Sequence, residues 1–280
     1  MNKIGLALSG GGVRGFAHVG VIKVLDKLKL KPACVSGCSM GAIIGAFYCL
    51  GYSGKEMEKI SEKLNLKEIV KVSLNRKLKG NKFENYFNIL FKNKNFEDLK
   101  IPLYVNCVDV TTGEEVIFNK GNLAKAISAS MAIPGILKPA KINGRILVDG
   151  GVKNNIPIKI LLEQKLDKII SISTGPDKTS GSILEKISNE KDNVKFPSTA
   201  KVILKSFLIM LSNEHMLNFS KRNSDIFIVP NLKGYHLLDF KKTKEIIRAG
   251  EFEARKKKGE IANLFKSQPV MDFITRKFGD

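Results

Sequence analysis

The chain has 280 residues, and its 47 Lys and Arg against 27 Asp and Glu give a net charge of +20. A hydrophobic content of 43% supplies a substantial core, and the length fits one large domain. A charge of this size favours an anionic partner, such as a phospholipid surface, a nucleic acid or an acidic substrate. The lysines are scattered and no nucleic-acid-binding motif is present, which argues against nucleic acid.

Export, membrane spanning and metal binding are not indicated either. The apolar run Ile4 to Leu8 ends in glycines and is too short for the hydrophobic region of a signal peptide, and no stretch approaches the ~20 apolar residues of a transmembrane helix. The cysteines have no repeated spacing, which favours reduced thiols over a disulfide framework or a zinc site. We therefore expect a cytoplasmic protein, with no metal or cofactor, that touches anionic membranes peripherally. Its oligomeric state is open.

The first element is a strand over residues 3–8, which runs into a glycine-rich loop, Gly10-Gly11-Gly12-Val13-Arg14-Gly15, and then a helix. The loop fits the Gly-x-Gly-x-x-Gly pattern of dinucleotide-binding folds, but no acidic residue ends the next strand to support that interpretation. The better interpretation is an oxyanion hole, because the successive N–H groups of Gly11, Gly12 and Val13 form an anion-binding concavity. Arg14 either holds this loop in place or binds an anionic group.

The second strand, residues 33–35, leads into Gly37-Cys38-Ser39-Met40-Gly41 and a helix over residues 42–50. A serine on such a strand-to-helix turn is held in a strained, exposed position. Gly37 and Gly41 leave room for the tight turn, and the N-terminus of the helix favours an anion beside the serine. Ser39 is therefore the candidate nucleophile.

Later apolar runs predict the remaining strands, over residues 101–110, 115–118, 145–148, 168–174 and 225–229. The strand at 145–148 delivers Asp149-Gly150-Gly151, and an aspartate at a strand end faces the crevice in which open α/β sheets bind ligands.

Helices are predicted over residues 56–64, 123–130, 199–219 and 243–265. The aromatic face within residues 74–95 is either core or an acyl-binding cap. Residues 177–198 form a connection or a lid. The apolar helix at 199–219 is either buried, which we favour, or dips into a membrane interface.

The fold class that this pattern predicts is a three-layer α/β/α sandwich with a mostly parallel central sheet. We expect a single domain over residues 1–280. Its core motifs lie within residues 4–175, and the elements of residues 199–280 complete the same domain.

In their order along the chain, the glycine-rich loop, the serine elbow and the Asp149-Gly150-Gly151 turn resemble the motifs of the patatin-like phospholipase family. The segment Ala129-Ser130-Met131-Ala132-Ile133-Pro134 also resembles a segment of that family. The resemblance implies a patatin-like fold and a Ser39-Asp149 dyad that cleaves lipid acyl esters through an acyl-enzyme. It also implies an oxyanion hole built from Gly10, Gly11, Gly12, Val13, Arg14, Gly15 and Met40. A carboxylate is a weak base near neutral pH, so Asp149 would need a raised pKa.

Three alternatives stay open at this point. His215 or His236 could complete a Ser-Asp-His triad, since both follow Asp149 in the chain order of α/β-hydrolases, whereas His18 is expected to be structural. The dyad could transfer the acyl group to an alcohol instead of water. The chain could also bind lipid in a regulatory role with little turnover. Cys38 departs from the small or hydroxyl residue expected beside the serine.

Overall fold

An eight-stranded sheet forms the centre of the computed structural model, which describes residues 2–64, 82–175, 199–235 and 240–266. Its strands are β1 (Ile4–Leu8), β2 (Cys34–Gly37), β3 (Leu103–Asp109), β4 (Glu115–Phe118), β5 (Ala140–Ile142), β6 (Arg145–Asp149), β7 (Lys168–Ile172) and β8 (Ile226–Ile228). They lie in the order β5-β6-β3-β2-β1-β7-β8, with β4 paired to β3. The five strands from β3 to β8 in that order are mutually parallel, as the sequence predicted, whereas β4, β5 and β6 are antiparallel to their neighbours.

The helices are α1 (Ala17–Lys27), α2 (Met40–Leu50), α3 (Gly54–Lys63), α4 (Lys82–Leu90), α5 (Leu123–Ser130), α6 (Ile158–Leu162), α7 (Thr199–Leu211), α8 (Glu214–Arg222), α9 (Thr243–Lys256) and α10 (Lys258–Leu264). They cover both faces of the sheet, which confirms the three-layer prediction. In β1, Leu6 and Leu8 face the large core cluster that includes α1, α2 and α9, whereas Ala7 faces a smaller cluster with α6. The alternation follows from the two-residue period of a strand.

The edge of β3 explains how a distant part of the chain reaches the serine turn. β4 pairs with residues 105–108 of β3, so β2, paired at 103–105, and β6, paired at 107–109, must share the opposite edge. Because β2 is parallel and β6 antiparallel to β3, the carboxyl ends of β2 and β6 point at each other. The topology therefore brings Gly150, which follows Asp149, close to Cys38, which follows Gly37.

Two predicted helices are each divided in the structure. The prediction of one helix over residues 199–219 is wrong, because Asn213 ends the run and caps α8, its Oδ1 accepting the N–H groups of His215 (3.0 Å) and Met216 (3.3 Å). Asn favours such caps because its side chain competes for backbone groups. The run over residues 243–265 divides at Lys257 into α9 and α10.

Our expectation that the apolar helix at 199–219 is buried is also wrong for one face of α7. Phe207 is buried, but Val202, Ile203 and Ile209 are 41%, 40% and 59% exposed. Within the described residues no helix is long and apolar enough to cross a bilayer.

The aromatic segment is described only from residue 82 onward. Phe83, Phe87 and Phe91 of this segment are buried in the main core, whereas Ile89 is 80% exposed. The core interpretation therefore holds for the described part of this segment. Residues 74–81 of this segment lie outside the described residues, as do residues 177–198, where the sequence suggested a connection or a lid.

Candidate active site

Ser39 occupies a strained turn between β2 and α2. Its backbone angles are φ 52° and ψ −120°, in a region that a residue with a Cβ adopts only at a cost of about 1–3 kcal/mol. Two hydrogen bonds fix the turn. The Ser39 N–H donates to Ser130 Oγ at 2.8 Å, and the Cys38 N–H donates to Leu8 O at 3.1 Å. Ser130 is the last residue of α5, so the helix after β4 fixes the turn that carries Ser39.

Asp149 ends β6 and is fully buried beside this turn, with 1% of its surface exposed. Its Oδ1 accepts the Gly151 N–H at 2.8 Å and the Cys38 thiol at 3.6 Å. Burial raises the pKa of Asp149 from 3.8 to about 6, against the opposing influence of Ser39, Gly151 and Cys38. A carboxyl with this pKa is ionised at neutral pH and can still take up a proton.

The second carboxyl oxygen, Asp149 Oδ2, has no hydrogen-bond partner among the described residues. The Ser39 hydroxyl is close enough to lower the pKa of Asp149, but its Oγ donates to Met131 Sδ at 3.5 Å. Catalytic hydrogen bonds often tighten only when substrate binds. The two residues of the predicted dyad thus lie together, and Asp149 Oδ2 accepts no hydrogen bond from the described residues.

The glycine-rich loop lies against the same turn. Gly10 packs so closely on Ser39 that an added Cβ would lie 3.2 Å from the Ser39 Cβ and 2.6 Å from Asn155 Oδ1. After it, Gly12–Phe16 forms a short 3-10 helix that leads into α1. The loop therefore has to be glycine where it passes Ser39.

Not every N–H group of the predicted oxyanion hole is available. The Gly10 N–H donates to Asn155 O and the Arg14 N–H to Gly11 O, both at 3.1 Å, and Gly15 lies inside the 3-10 helix against the Met40 side chain. The N–H groups of four residues meet no acceptor in the described part of the chain, as is usual for the first turn of a helix. These residues are Gly11, Gly12, Val13 and Met40.

Arg14 and His18 brace this loop from behind. Arg14 is buried, and its Nη2 donates to Gly175 O at 2.8 Å, which ties the loop to the end of β7. His18 Nε2 donates to Ser9 O at 2.9 Å, and burial lowers the pKa of His18 to about 4, so it is neutral. Of the two choices left open for Arg14, this contact favours holding the loop.

Asn155 is a site residue that the sequence analysis missed. Its backbone carbonyl accepts the Gly10 N–H, and its Nδ2 donates to Gly10 O at 3.4 Å. Its Oδ1 lies 3.2 Å from where a Cβ on Gly151 would be. One side chain therefore contacts both the glycine loop and the Asp149 turn. The signal present in the sequence, an Asn pair before Ile156-Pro157, indicates a turn and no more.

The described histidines do not form a triad. His18 is buried and donates to Ser9 O, and His215 is exposed on α8. His236 lies outside the described residues. Asp149, the carboxylate that the sequence predicted, lies beside Ser39.

Comparison with known proteins identifies a family for this chain. The family model for patatin-like phospholipases matches residues 6–162, which contain both Ser39 and Asp149. The chain belongs to the patatin-like phospholipase family.

Two curated relatives and one solved structure show the extent of the similarity. The chain is 30% identical over 181 residues to lysophospholipase NTE1 of Cryptococcus neoformans, covering 62% of this chain and 11% of that protein. It is 28% identical over 272 residues to mouse patatin-like phospholipase domain-containing protein 6, covering 89% of this chain and 20% of that protein. The chain thus spans a fifth or less of these relatives. VipD from Legionella pneumophila shares the fold at a TM-score of 0.53 and 14% identity, covering 92% of this chain and 67% of VipD.

Proposed function

We propose that this chain is a lipid acyl hydrolase that works through a Ser39-Asp149 dyad. Asp149 takes the Ser39 proton as Oγ attacks the ester carbonyl, and the tetrahedral oxyanion then expels an alcohol that recovers the proton from Asp149. Water next gives a proton to Asp149 and attacks the acyl-enzyme carbonyl, which forms a second tetrahedral oxyanion. Its collapse breaks the bond to Ser39 Oγ and releases the fatty acid, and Asp149 returns the proton to Ser39 Oγ. Both oxyanions would be held by the N–H groups of Gly11, Gly12, Val13 and Met40, each worth about 3 kcal/mol when well placed.

One observation carries this proposal. Asp149 Oδ2, a buried carboxyl oxygen that has no hydrogen-bond partner among the described residues, lies beside a serine on a strained turn. Burying a carboxyl group with one oxygen not hydrogen-bonded costs free energy, and strained backbone of this kind clusters at active sites. The names of the relatives, lysophospholipase and patatin-like phospholipase domain-containing protein, support a lipid ester as the substrate.

The test is hydrolysis of p-nitrophenyl esters of increasing chain length and of lysophospholipid, with release of free fatty acid as the readout. Ser39→Ala and Asp149→Asn should each lower turnover by on the order of 10³-fold or more, and the double variant by no more than the worse single one, because the two residues act as a unit. Ser36→Ala is the matched control, since Ser36 is buried in β2 and its Oγ has no partner among the described residues. A Ser39→Ala variant with full activity would refute the dyad.

We infer further that the enzyme acts at an anionic membrane surface. The exposed residues Val202, Ile203 and Ile209 form one stripe of α7, and Leu211 at the end of that helix packs on Gly151 beside the dyad. Apolar side chains of this kind insert at the boundary between head groups and acyl chains, and the net charge of +20 adds attraction to anionic lipid.

Cosedimentation with phosphatidylcholine vesicles, with and without phosphatidylglycerol, tests the membrane contact. Ile209→Glu should reduce binding to the anionic vesicles and activity on lipid in them, but not activity on a soluble short-chain ester. Ile89→Glu replaces an even more exposed isoleucine on α4 and should leave binding unchanged. Equal binding of both variants and wild type would exclude α7 as the contact.

A further inference from the structure

A groove of about 750 Å³ lies apart from the dyad, between β4 with the loop after it and the turn that joins β5 to β6. Its apolar lining comes from Val116, Ile117, Phe118, Ala126 and Ile142, and its cationic lining from Lys120, Lys125 and Arg145. Nothing in the dyad mechanism uses these residues.

The groove follows a strand edge. Successive side chains of a strand point to opposite faces of the sheet, yet Glu115, Val116, Ile117 and Phe118 all line the groove. The strand must therefore border the groove with its edge. In the described part of the chain β4 pairs with β3 alone, so its outer N–H and C=O groups meet no backbone partner there. Such an edge is a template for an added strand.

The charges beside this edge select the kind of strand. Lys120, Lys125 and Arg145 have no ion-pair partner within the described residues. The single carboxylate in the lining, Glu115, accepts the side-chain amides of Asn106 (2.8 Å) and Asn154 (3.0 Å). Glu97 lies near Lys120, and its carboxylate accepts the Gly121 N–H at 3.0 Å. The groove is thus positive, and a second copy of a chain with net charge +20 is a poor occupant.

We propose that this groove binds an extended acidic segment of a partner protein, which adds as a strand to β4. Its backbone pairs with the free edge, its apolar side chains enter the groove beside Val116 and Phe118, and its carboxylates meet Lys120, Lys125 and Arg145. This binding does not require turnover, so its test is independent of the dyad.

The experiment selects binders of the full-length protein from a displayed library of random peptides of about eight residues, a common strand length. Enriched peptides are then synthesised, and their affinity is measured by fluorescence anisotropy. Hydrogen exchange of residues 115–118 is compared with and without peptide. The test variant is Lys120→Glu/Lys125→Glu/Arg145→Glu. The matched control reverses three exposed lysines elsewhere, Lys55→Glu/Lys165→Glu/Lys233→Glu, and so changes the net charge equally.

We expect the enriched peptides to be acidic and rich in strand-forming residues. Their affinity should fall about tenfold or more in the groove variant, and the loss of affinity in the control variant should be smaller. Bound peptide should protect the β4 amides from exchange. The proposal is overturned if no peptide is enriched, if enriched peptides bind the groove variant and wild type equally, or if β4 amides exchange as before. Decanoate is the probe for the alternative occupant, a single-chain anionic amphiphile. Binding of decanoate in the groove without any enriched peptide would likewise overturn the proposal.

Discussion

Replacing Asp149 by Asn should abolish activity and, at the same time, remove a pH-dependent weakness of the fold. Burial raises the pKa of Asp149 from 3.8 to about 6, so between these pH values the folded chain holds a proton that the unfolded chain has released. The folded state therefore loses stability as the pH rises through this window. Each pKa unit is worth about 1.4 kcal/mol, which makes the full penalty roughly 3 kcal/mol at neutral pH.

The variant also carries a cost that does not depend on pH. Its new NH₂ group takes the place of Asp149 Oδ2, which has no partner among the described residues, and a buried donor without a partner costs about 1–3 kcal/mol. Because this cost is the same at every pH, the informative quantity is how the difference in free energy of unfolding between variant and wild type changes with pH. From about pH 4 to pH 7 that difference should move by roughly 2–3 kcal/mol in favour of the variant.

Urea unfolding followed by far-UV circular dichroism gives this quantity at each pH. Ser36→Ala is again the control, because it removes a buried hydroxyl without changing any titratable group and its offset from wild type should not vary with pH. If the Asp149→Asn and wild-type stabilities run parallel from pH 4 to pH 7, Asp149 does not have a raised pKa and the account of its role as base is wrong.

We expect three further outcomes, two at the candidate site and one in the packing of α9 on α1. First, kcat/KM should rise with pH through about 6 as Asp149 ionises and level off above it, and a flat profile from mild acid to neutrality would contradict the dyad. Second, Asn155→Ala should lower kcat by about tenfold or more with little change in KM, because misplaced groups cost transition-state stabilisation. The control is Asn154→Ala, because the neighbouring Asn154 is also buried but donates to Glu115. This variant should lower stability without lowering kcat, and equal losses of kcat in the two variants would show that Asn155 has no positioning role. Third, Gly250→Ala should destabilise the fold by several kcal/mol, because a Cβ there meets the backbone of α1, whereas Gly259→Ala, with open space around it, should be neutral or stabilising by up to about 1 kcal/mol in thermal unfolding.

Local patterns in the sequence were sufficient for most of the sheet and for the turns that carry the candidate site. Hydrophobic periodicity and turn chemistry act over a few residues. The local backbone structure could therefore be predicted for the apolar runs at β1, β3 and β7 and for the glycines around Ser39. The fold class was predicted correctly for the same reason. The predicted helix boundaries were wrong where a single polar residue ended a helix inside an apolar run, as Asn213 does between α7 and α8.

The sequence by itself therefore determined which residues lie on the strand-to-helix turn, in the glycine-rich loop and at the end of β6. Only the tertiary structure decided that β6 meets β2 end to end along one edge of β3, which is what brings Asp149 to Ser39. The role of Asn155 and the exposure of Ile209 on α7 also depend on contacts between segments far apart in the chain. Burial and the pKa of a carboxyl are set by the surroundings that folding assembles, and these are not written in the residues next to it.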